Sequence, residues 1–260
     1  MKILVTGGAG FIGKYLVKSL LENNHNVTIF DNISNSTKNS ISSLIEFGAQ
    51  LIEGDITKPL DILNAVKDHD VVIHLAAKIS VSESISNPVE TFQVNVDGTR
   101  NILAACEKNH IKKLIVASSA AVYGESPSNV KLTEKSKTNP ISPYGESKMK
   151  MEQEIIEFES NHDIDCIILR FFNIFGIGQS SEYAGVITKF IEKIKREKPL
   201  EIFGDGLQTR DFVAIEDIIS SIHNAISCDK SGTYNIASGK SVTIKELAEK
   251  MITLSGKKID

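Results

Sequence analysis

The sequence predicts an α/β protein built on a doubly wound parallel sheet, and two observations carry that expectation. Short apolar runs rich in valine and isoleucine alternate with longer amphipathic stretches, the pattern of strands buried on both faces by crossover helices. A glycine-rich turn, "TGGAGFIG" at 6–13, joins the first apolar run to the first amphipathic stretch. With 260 residues the chain can bury a substantial core, as one large domain or two small ones.

The elements follow in order. "KILVT" (2–6) is expected to be a buried strand. Residues 11–24 have helical spacing, with Ile12, Tyr15, Leu16 and Leu20 on one face. "NVTIFD" (26–31), "QLIEGD" (50–55) and "DVVIHLAA" (70–77) are strand-like. Residues 88–109 form one helix, with Pro88 near its start, where proline is tolerated. "KLIVASS" (113–119) is a strand, 144–160 a helix and "DCIILRFF" (165–172) a strand. From about residue 174 the text turns polar and glycine-bearing, apart from a helix at 186–197. That stretch is expected to add a smaller layer over one end of the sheet.

Composition narrows the function classes. Charged residues are 24% and hydrophobic residues 41%, as in ordinary globular proteins, and the net charge is −4. No basic excess points to nucleic acid or to an anionic membrane surface. Cys106, Cys166 and Cys228 lie far apart, which fits neither a zinc cluster nor a disulfide framework and suggests a reducing compartment. The start resembles a signal peptide only briefly, because glycines interrupt its apolar run and Lys14 ends it. No stretch approaches the ~18 apolar residues of a membrane span. A cytoplasmic protein without a metal site is expected.

The turn after the first strand has a physical reading. Gly7 allows the tight turn, Gly10 lets backbone approach a pyrophosphate, and Gly13 lets helix and strand pack closely. The helix N-terminus then offers free N–H groups and the positive end of its dipole. Asp31 ends the next strand, where a carboxylate binds ribose hydroxyls and repels a 2′-phosphate. Lys38 is the nearest cation downstream. The expected cofactor is NAD rather than NADP.

Open parallel sheets bind ligands at the carboxyl ends of their strands. Tyr144 begins the helix after "SSAAVYG", and Lys148 lies one turn on along the same face. A tyrosine ionising near pH ~10 is a poor base, but a nearby ammonium and a cationic nicotinamide would favour the phenolate. One of the serines, Ser118 or Ser119, can hydrogen-bond the same substrate oxygen. Arg210 suits a diphosphate, which a guanidinium grips bidentately, although Asp205 or Asp211 could equally take it as a salt bridge. His74 is expected to be packed or hydrogen-bonded rather than an acid or base.

With these residues in place, the chain resembles the extended short-chain dehydrogenases/reductases, and within them the NAD-dependent nucleotide-sugar epimerases of the UDP-glucose 4-epimerase type. The carriers are "TGGAGFIG", "DNISNS", "HLAA", "SSAAVYG", "SPYGESK", "RFFNIFG" and "FGDGLQTRDF", in the expected order over nearly the whole chain. The resemblance implies a Rossmann domain over 1–173, with 212–238 returning to it. It implies a discontinuous nucleotide-sugar-binding domain at 174–211 and 239–260. Relatives continue for several tens of residues, so that domain is expected to be incomplete at the C-terminus.

The resemblance assigns Tyr144 as base, Lys148 as its partner and Ser119 as hydroxyl donor, leaving Ser118 to the cofactor side. Phe11 and Ile12 join Gly7, Gly10 and Gly13 in the pyrophosphate turn. Asp31, Asn32, Asn35 and Ser36 match the adenosine-ribose loop, and Asp55 and Ile56 the adenine wall. Leu75, Ala76, Ala77 and Lys78 match the turn near the nicotinamide ribose, Phe172 a nicotinamide-side contact, and Asn95 a supporting position in the active-site network. On the substrate side come Asn173, Val186, Ile202, Phe203 and Arg210, with Ser119 and Tyr144. The reaction implied is C4 epimerisation of a UDP-hexose through a transient 4-keto sugar. Other nucleotide-sugar enzymes of the same fold, among them N-acetylhexosamine and uronate epimerases, and a non-catalytic NAD-binding protein are the alternatives. Dehydratases resemble chains with an acidic group just after the catalytic hydroxyl, where this one has Ala120 and Ala121. A homodimer through 88–109 and 144–160 is also implied, with Val94, Ile102, Met151 and Ile155 either as candidate contacts or facing the sheet. The family's proline and arginine after "YG" are replaced by Ile177 and Gly178, which leaves the nucleotide and sugar open.

Overall fold

The computed structural model describes residues 1–125, 130–179 and 185–257. Seven parallel strands form the main sheet: β1 (Lys2–Thr6), β2 (Asn26–Asp31), β3 (Gln50–Glu53), β4 (Val71–His74), β5 (Lys113–Ser119), β6 (Asp165–Phe171) and β9 (Gly232–Ile236). Their order across the sheet is β3-β2-β1-β4-β5-β6-β9. The order reverses beside β1, which opens a crevice at the carboxyl ends of β1 and β4. A second sheet of three strands has the order β10-β8-β7, from β7 (Asn173–Phe175), β8 (Thr209–Ala214) and β10 (Ser241–Thr243).

Helices cover both faces of the main sheet. One face packs α1 (Phe11–Glu22) and α9 (Ile215–Ser227) over Ile3, Val5, Ile29 and Ile73. The other packs α3 (Pro59–Val66), α6 (Gly98–Lys108) and α7 (Pro143–Asn161) over Leu4, Val72, Leu114 and Ile168. The alternate strand residues thus feed two cores, as a sheet covered on both faces requires. Short helices α2 (Ser42–Glu46), α4 (Val81–Ser86) and α5 (Pro88–Phe92) fill connections. Under the small sheet, α8 (Val186–Lys195) and α10 (Ile244–Ser255) enclose a minor core of Phe190, Ile244 and Ala248.

The single helix expected over 88–109 forms, with one irregular turn inside it. It runs as α5, a wide π turn at Gln93–Asp97, and α6. Asn95, in that turn, points its amide at the backbone of residue 78 instead of continuing the helical face. Of the two placements open to the apolar residues of these helices, the structure takes the interior one. Ile102, Met151 and Ile155 are fully buried against the sheet, and Val94 lines the central cleft. Their apolar character belongs to the interior. Among the described residues no helix is long and apolar enough to cross a membrane, and no cluster of His, Cys, Asp or Glu could hold a metal.

Candidate active site

A cleft of about 1010 Å³ runs across the carboxyl ends of the strands, from the glycine turn to the small sheet. At one end Gly7 has φ +68, and a Cβ there would stand 2.7 Å from the Ala76 amide nitrogen. A Cβ on Gly13 would stand 2.4 Å from the Gly7 carbonyl oxygen. Both positions therefore need glycine, and the turn stays tight enough to bring backbone N–H groups to the cleft. Gly10 caps α1 with no side chain across the helix end, so the positive end of the helix faces the cleft.

Asp31 holds the next segment. Its two carboxylate oxygens accept the N–H groups of Ala9 (3.0 Å) and Ile33 (2.8 Å), tying the glycine turn to the loop after β2. Ile33 sits at φ +56, an uncommon conformation for a β-branched residue and a mark of a constrained loop. The Ser36 hydroxyl, also on the cleft wall, is buried with no partner of its own, as a ribose-facing donor would be. Lys38 is taken by Glu53 at 2.5 Å, so it offers no grip on a 2′-phosphate. Asn32, Asn35, Asp55 and Ile56 line the same wall. Burial pushes the Asp55 carboxyl up, but hydrogen bonds from Thr57 and Asn32 outweigh it and hold the group low. The cradle, the paired carboxylate and the orphaned hydroxyl fit a dinucleotide.

The reactive groups lie mid-cleft. Ser142 caps α7 by accepting the Gly145 N–H, and buried Ser84 accepts the Tyr144 N–H at 3.1 Å. Two free N–H groups of the helix start are thus satisfied, and Tyr144 is seated. Ser119 accepts the Ala121 N–H at 3.1 Å, which leaves its hydroxyl proton free to act on the Tyr144 phenol, whose pKa it lowers. Lys148 is 3% exposed and donates to the Ala117 carbonyl at 2.8 Å. Burial pushes its ammonium down to about 8, against the pull of the Glu152 carboxylate. The phenol does not sit low, as the lysine spacing led one to expect. Burial pushes it up and the Ser119 bond only partly offsets that, because Lys148 is turned to Ala117.

Ser118 lines the cleft as expected, with its hydroxyl proton given to Glu152 at 2.5 Å. Two further expectations are corrected. Asn95 does not line the cleft. It is buried, accepting the Lys78 N–H at 2.8 Å and donating to the Lys78 carbonyl at 3.0 Å. Ile202 packs into the minor core, while its neighbour Phe203 lines the cleft and is 80% exposed. Gly7, Gly10, Phe11, Ile12, Gly13, Leu75, Ala76, Ala77, Lys78, Phe172, Asn173 and Val186 all line the cleft as expected.

Arg210 also lines the cleft and, among the described residues, has no ion pair. The carboxylates expected to compete for it are taken. Asp211 accepts from the Ser238 and Gly239 N–H groups and the Ser238 hydroxyl, and Asp205 from the Leu207 N–H. Arg210 is left facing the cleft with its charge available.

Sequence reasoning missed the layer beneath. Glu152 and Arg170 form a buried ion pair, with the Nη2–Oε2 bond at 2.6 Å and the Nε–Oε1 bond at 2.9 Å. Arg170 also donates to the Tyr123 hydroxyl at 2.8 Å, and Tyr123 to Asn235 at 2.6 Å. Burial opposes the Arg170 charge, but Glu152 raises its pKa further than burial lowers it. The signal was present: an arginine inside the apolar run "CIILRF" needs a buried partner, and Glu152 is one turn past Lys148.

Comparison with known proteins agrees with this geometry. The model of the NAD dependent epimerase/dehydratase family matches residues 3–237. The chain belongs to that family. Its cofactor is NAD. A Methanocaldococcus jannaschii protein provisionally described as a UDP-glucose 4-epimerase is 44% identical over 94% of this chain and 79% of its own length. A UDP-N-acetylglucosamine 4-epimerase from Methanobrevibacter ruminantium, solved with UDP-N-acetylmuramic acid, superposes with a TM-score of 0.94 at 38% identity. It covers 100% of this chain, which covers 83% of it. A Thermus thermophilus UDP-glucose 4-epimerase solved with NAD gives 0.92 at 29% identity, over 100% of this chain and 85% of that one.

Proposed function

We propose that the protein interconverts UDP-hexoses at C4, UDP-glucose and UDP-galactose first among them, with Tyr144 as the base. The observation that carries the reading is the mid-cleft group: Tyr144 with Ser119 in the same cleft, buried Lys148 one turn on, and the glycine cradle at the same strand ends. The relatives described as UDP-glucose 4-epimerases support the same substrate. Arg210 grips the diphosphate, and Asn173 and Phe203 flank it. Ser119 donates to the C4 oxygen and Tyr144 removes its proton. NAD, held by the glycine cradle and the Asp31 loop, would supply a reversible hydride acceptor when bound. Lys148, charged below about pH 8, stabilises the phenolate. Because burial holds the phenol high, the tyrosine works as a base only with cationic help, which couples proton removal to a loaded site.

Ala120 and Ala121 enter the short helical turn after Ser119 and offer no carboxylate for eliminating water, so epimerisation is favoured over dehydration. Two further parts of the reading concern setting. Free cysteines, two of them buried with thiols pushed up by burial, support a cytoplasmic protein. Charges of both signs on the exposed faces of α6 and α7, Arg100 and Lys150 beside Glu154, support a homodimer by self-complementarity.

The test is proton NMR of UDP-galactose with protein and NAD, following the anomeric signals. UDP-glucose should form, and Tyr144→Phe should lower turnover about 10²–10⁴-fold while NAD affinity stays within twofold. Full activity of the variant would sink the assignment. Inactivity on UDP-galactose alongside turnover of UDP-N-acetylglucosamine or UDP-glucuronate would move the substrate to those sugars.

A further inference from the structure

Behind the cleft, a buried chain of hydrogen bonds runs from the loop after β4 to the backbone of Tyr144, and its directions can be worked out atom by atom. The Thr99 hydroxyl donates to the Asn95 carbonyl at 2.7 Å, since a carbonyl can only accept. Its oxygen therefore accepts from His74 Nε2 at 3.1 Å, so Nε2 carries the hydrogen. Nδ1 of the neutral ring then accepts from the Thr6 hydroxyl at 2.8 Å, and Thr6 Oγ1 accepts the Ala76 N–H at 3.3 Å. On the other side, the Asn95 amide is oriented by accepting the Lys78 N–H. Its Nδ2 donates to both the Lys78 carbonyl and Ser147 Oγ (2.9 Å), and Ser147 donates to the Tyr144 carbonyl at 2.7 Å. Thr6, His74, Thr99, Asn95 and Ser147 are all buried. In such a chain each link has a single donor and a single acceptor arrangement.

We infer that His74, as the neutral Nε2–H tautomer, is a positioning residue that fixes Tyr144 relative to the 75–78 loop through Thr99, Asn95 and Ser147. The loop supplies Leu75, Ala76, Ala77 and Lys78 to the cleft wall, and Tyr144 stands across from it. The chain therefore sets the spacing between the cofactor wall and the base, where a shift of about 1 Å can lower a rate ~100-fold. Burial and the nearby Lys148 charge hold the ring neutral, with its pKa lowered to about 3, so the directions persist through the working pH range. The inference rests on Tyr144 being the base, but its first test does not.

That test is nitrogen-15 NMR of the histidine rings in the NAD-bound protein. His74 should show a protonated Nε2 and a bare Nδ1, unchanged from pH 5.5 to 8. An Nδ1–H tautomer, or a ring that titrates in that range, overturns the chain. The second test is kinetic. Thr99→Val keeps the shape and removes the hydroxyl, and should lower kcat about tenfold with KM and NAD affinity within twofold. Thr99→Ser restores the hydroxyl at the loss of a methyl and should recover kcat to within twofold. Packing alone would reverse that ranking and overturn the inference, as would an unchanged kcat in Thr99→Val. If Thr99→Val does not fold, Ser147→Ala cuts the last link and is read the same way. An inactive wild type would count against the proposed reaction alone, because the tautomer result stands without turnover.

Discussion

The two ends of the cleft are built by different means. The cofactor end is set in the main sheet. Gly7 and Gly13 meet backbone at distances no side chain could share, the loop is held by both oxygens of Asp31, and β1 and β2 below are buried along most of their length. The other end rests on three short strands and a core of three buried residues, and its cleft-lining side chains Phe203 and Arg210 are exposed. The contrast suits the chemistry. A cofactor that accepts and returns a hydride has to stay still, whereas a sugar that presents both faces has to turn.

This comparison can be broken or sharpened by variants. The largest effect should come from Arg170→Leu, which leaves the Glu152 carboxylate buried without its partner. Unfolding in urea should show a loss of about 3–5 kcal/mol, and adding Glu152→Leu should recover much of it. A small loss in the single variant would mean that the cofactor end is less rigid than its contacts imply. Next, Gly13→Ala drives a Cβ onto the Gly7 carbonyl and should cost about 1–3 kcal/mol and abolish measurable NAD binding. Gly185→Ala, which opens α8 with nothing within 4 Å of the new Cβ, should change stability by less than about 0.5 kcal/mol. Equal losses at the two positions would erase the distinction.

Arg210→Met should leave the melting temperature unchanged and raise KM for the nucleotide sugar roughly 10–100-fold, as expected for a lost charge-assisted bond of about 1.5–3 kcal/mol. A fall in kcat with constant KM would place Arg210 in the chemical step instead. The last effect is acid-linked. His74 has a folded pKa of about 3, below its unfolded value. Its contribution is therefore complete above about pH 6.5 and is lost as pH falls toward 3, because the unfolded ring takes up the proton first. Between pH 7 and 5 this is worth about 2 kcal/mol. His25 and His223 are lowered too, so the measurement is the difference in pH slope between wild type and His74→Gln.

Much of the cofactor end could be read in the sequence, because a glycine at a forced approach and a carboxylate at a strand end are local demands. "TGGAGFIG" and Asp31 declare them directly. The pair Tyr144 and Lys148 was legible for a similar reason, since one helical turn fixes their shared face. The π turn inside the 88–109 helix was not, because the Asn95 side chain takes a partner 17 residues away. Nor was the different fate of Ile202 and Phe203, adjacent residues of similar hydropathy that a single extended segment sends to opposite sides. Ser118 and Ser119 show the same limit: their strand alternation told them apart only once Glu152 was known to lie on one side.

The passage from one sheet to the other is a single residue. β6 ends at Phe171, β7 begins at Asn173, and the Phe172 N–H still bonds to the Ile236 carbonyl. Extended chain advances about 3.3 Å per residue, so this strand fixes the distance between the cleft-lining residues of the two sheets. It also has parity. Inserting one residue there would add little reach, yet it would turn Asn173 to the opposite face. Changes in the length of accepted substrates should therefore arise in steps of two at this junction, or elsewhere.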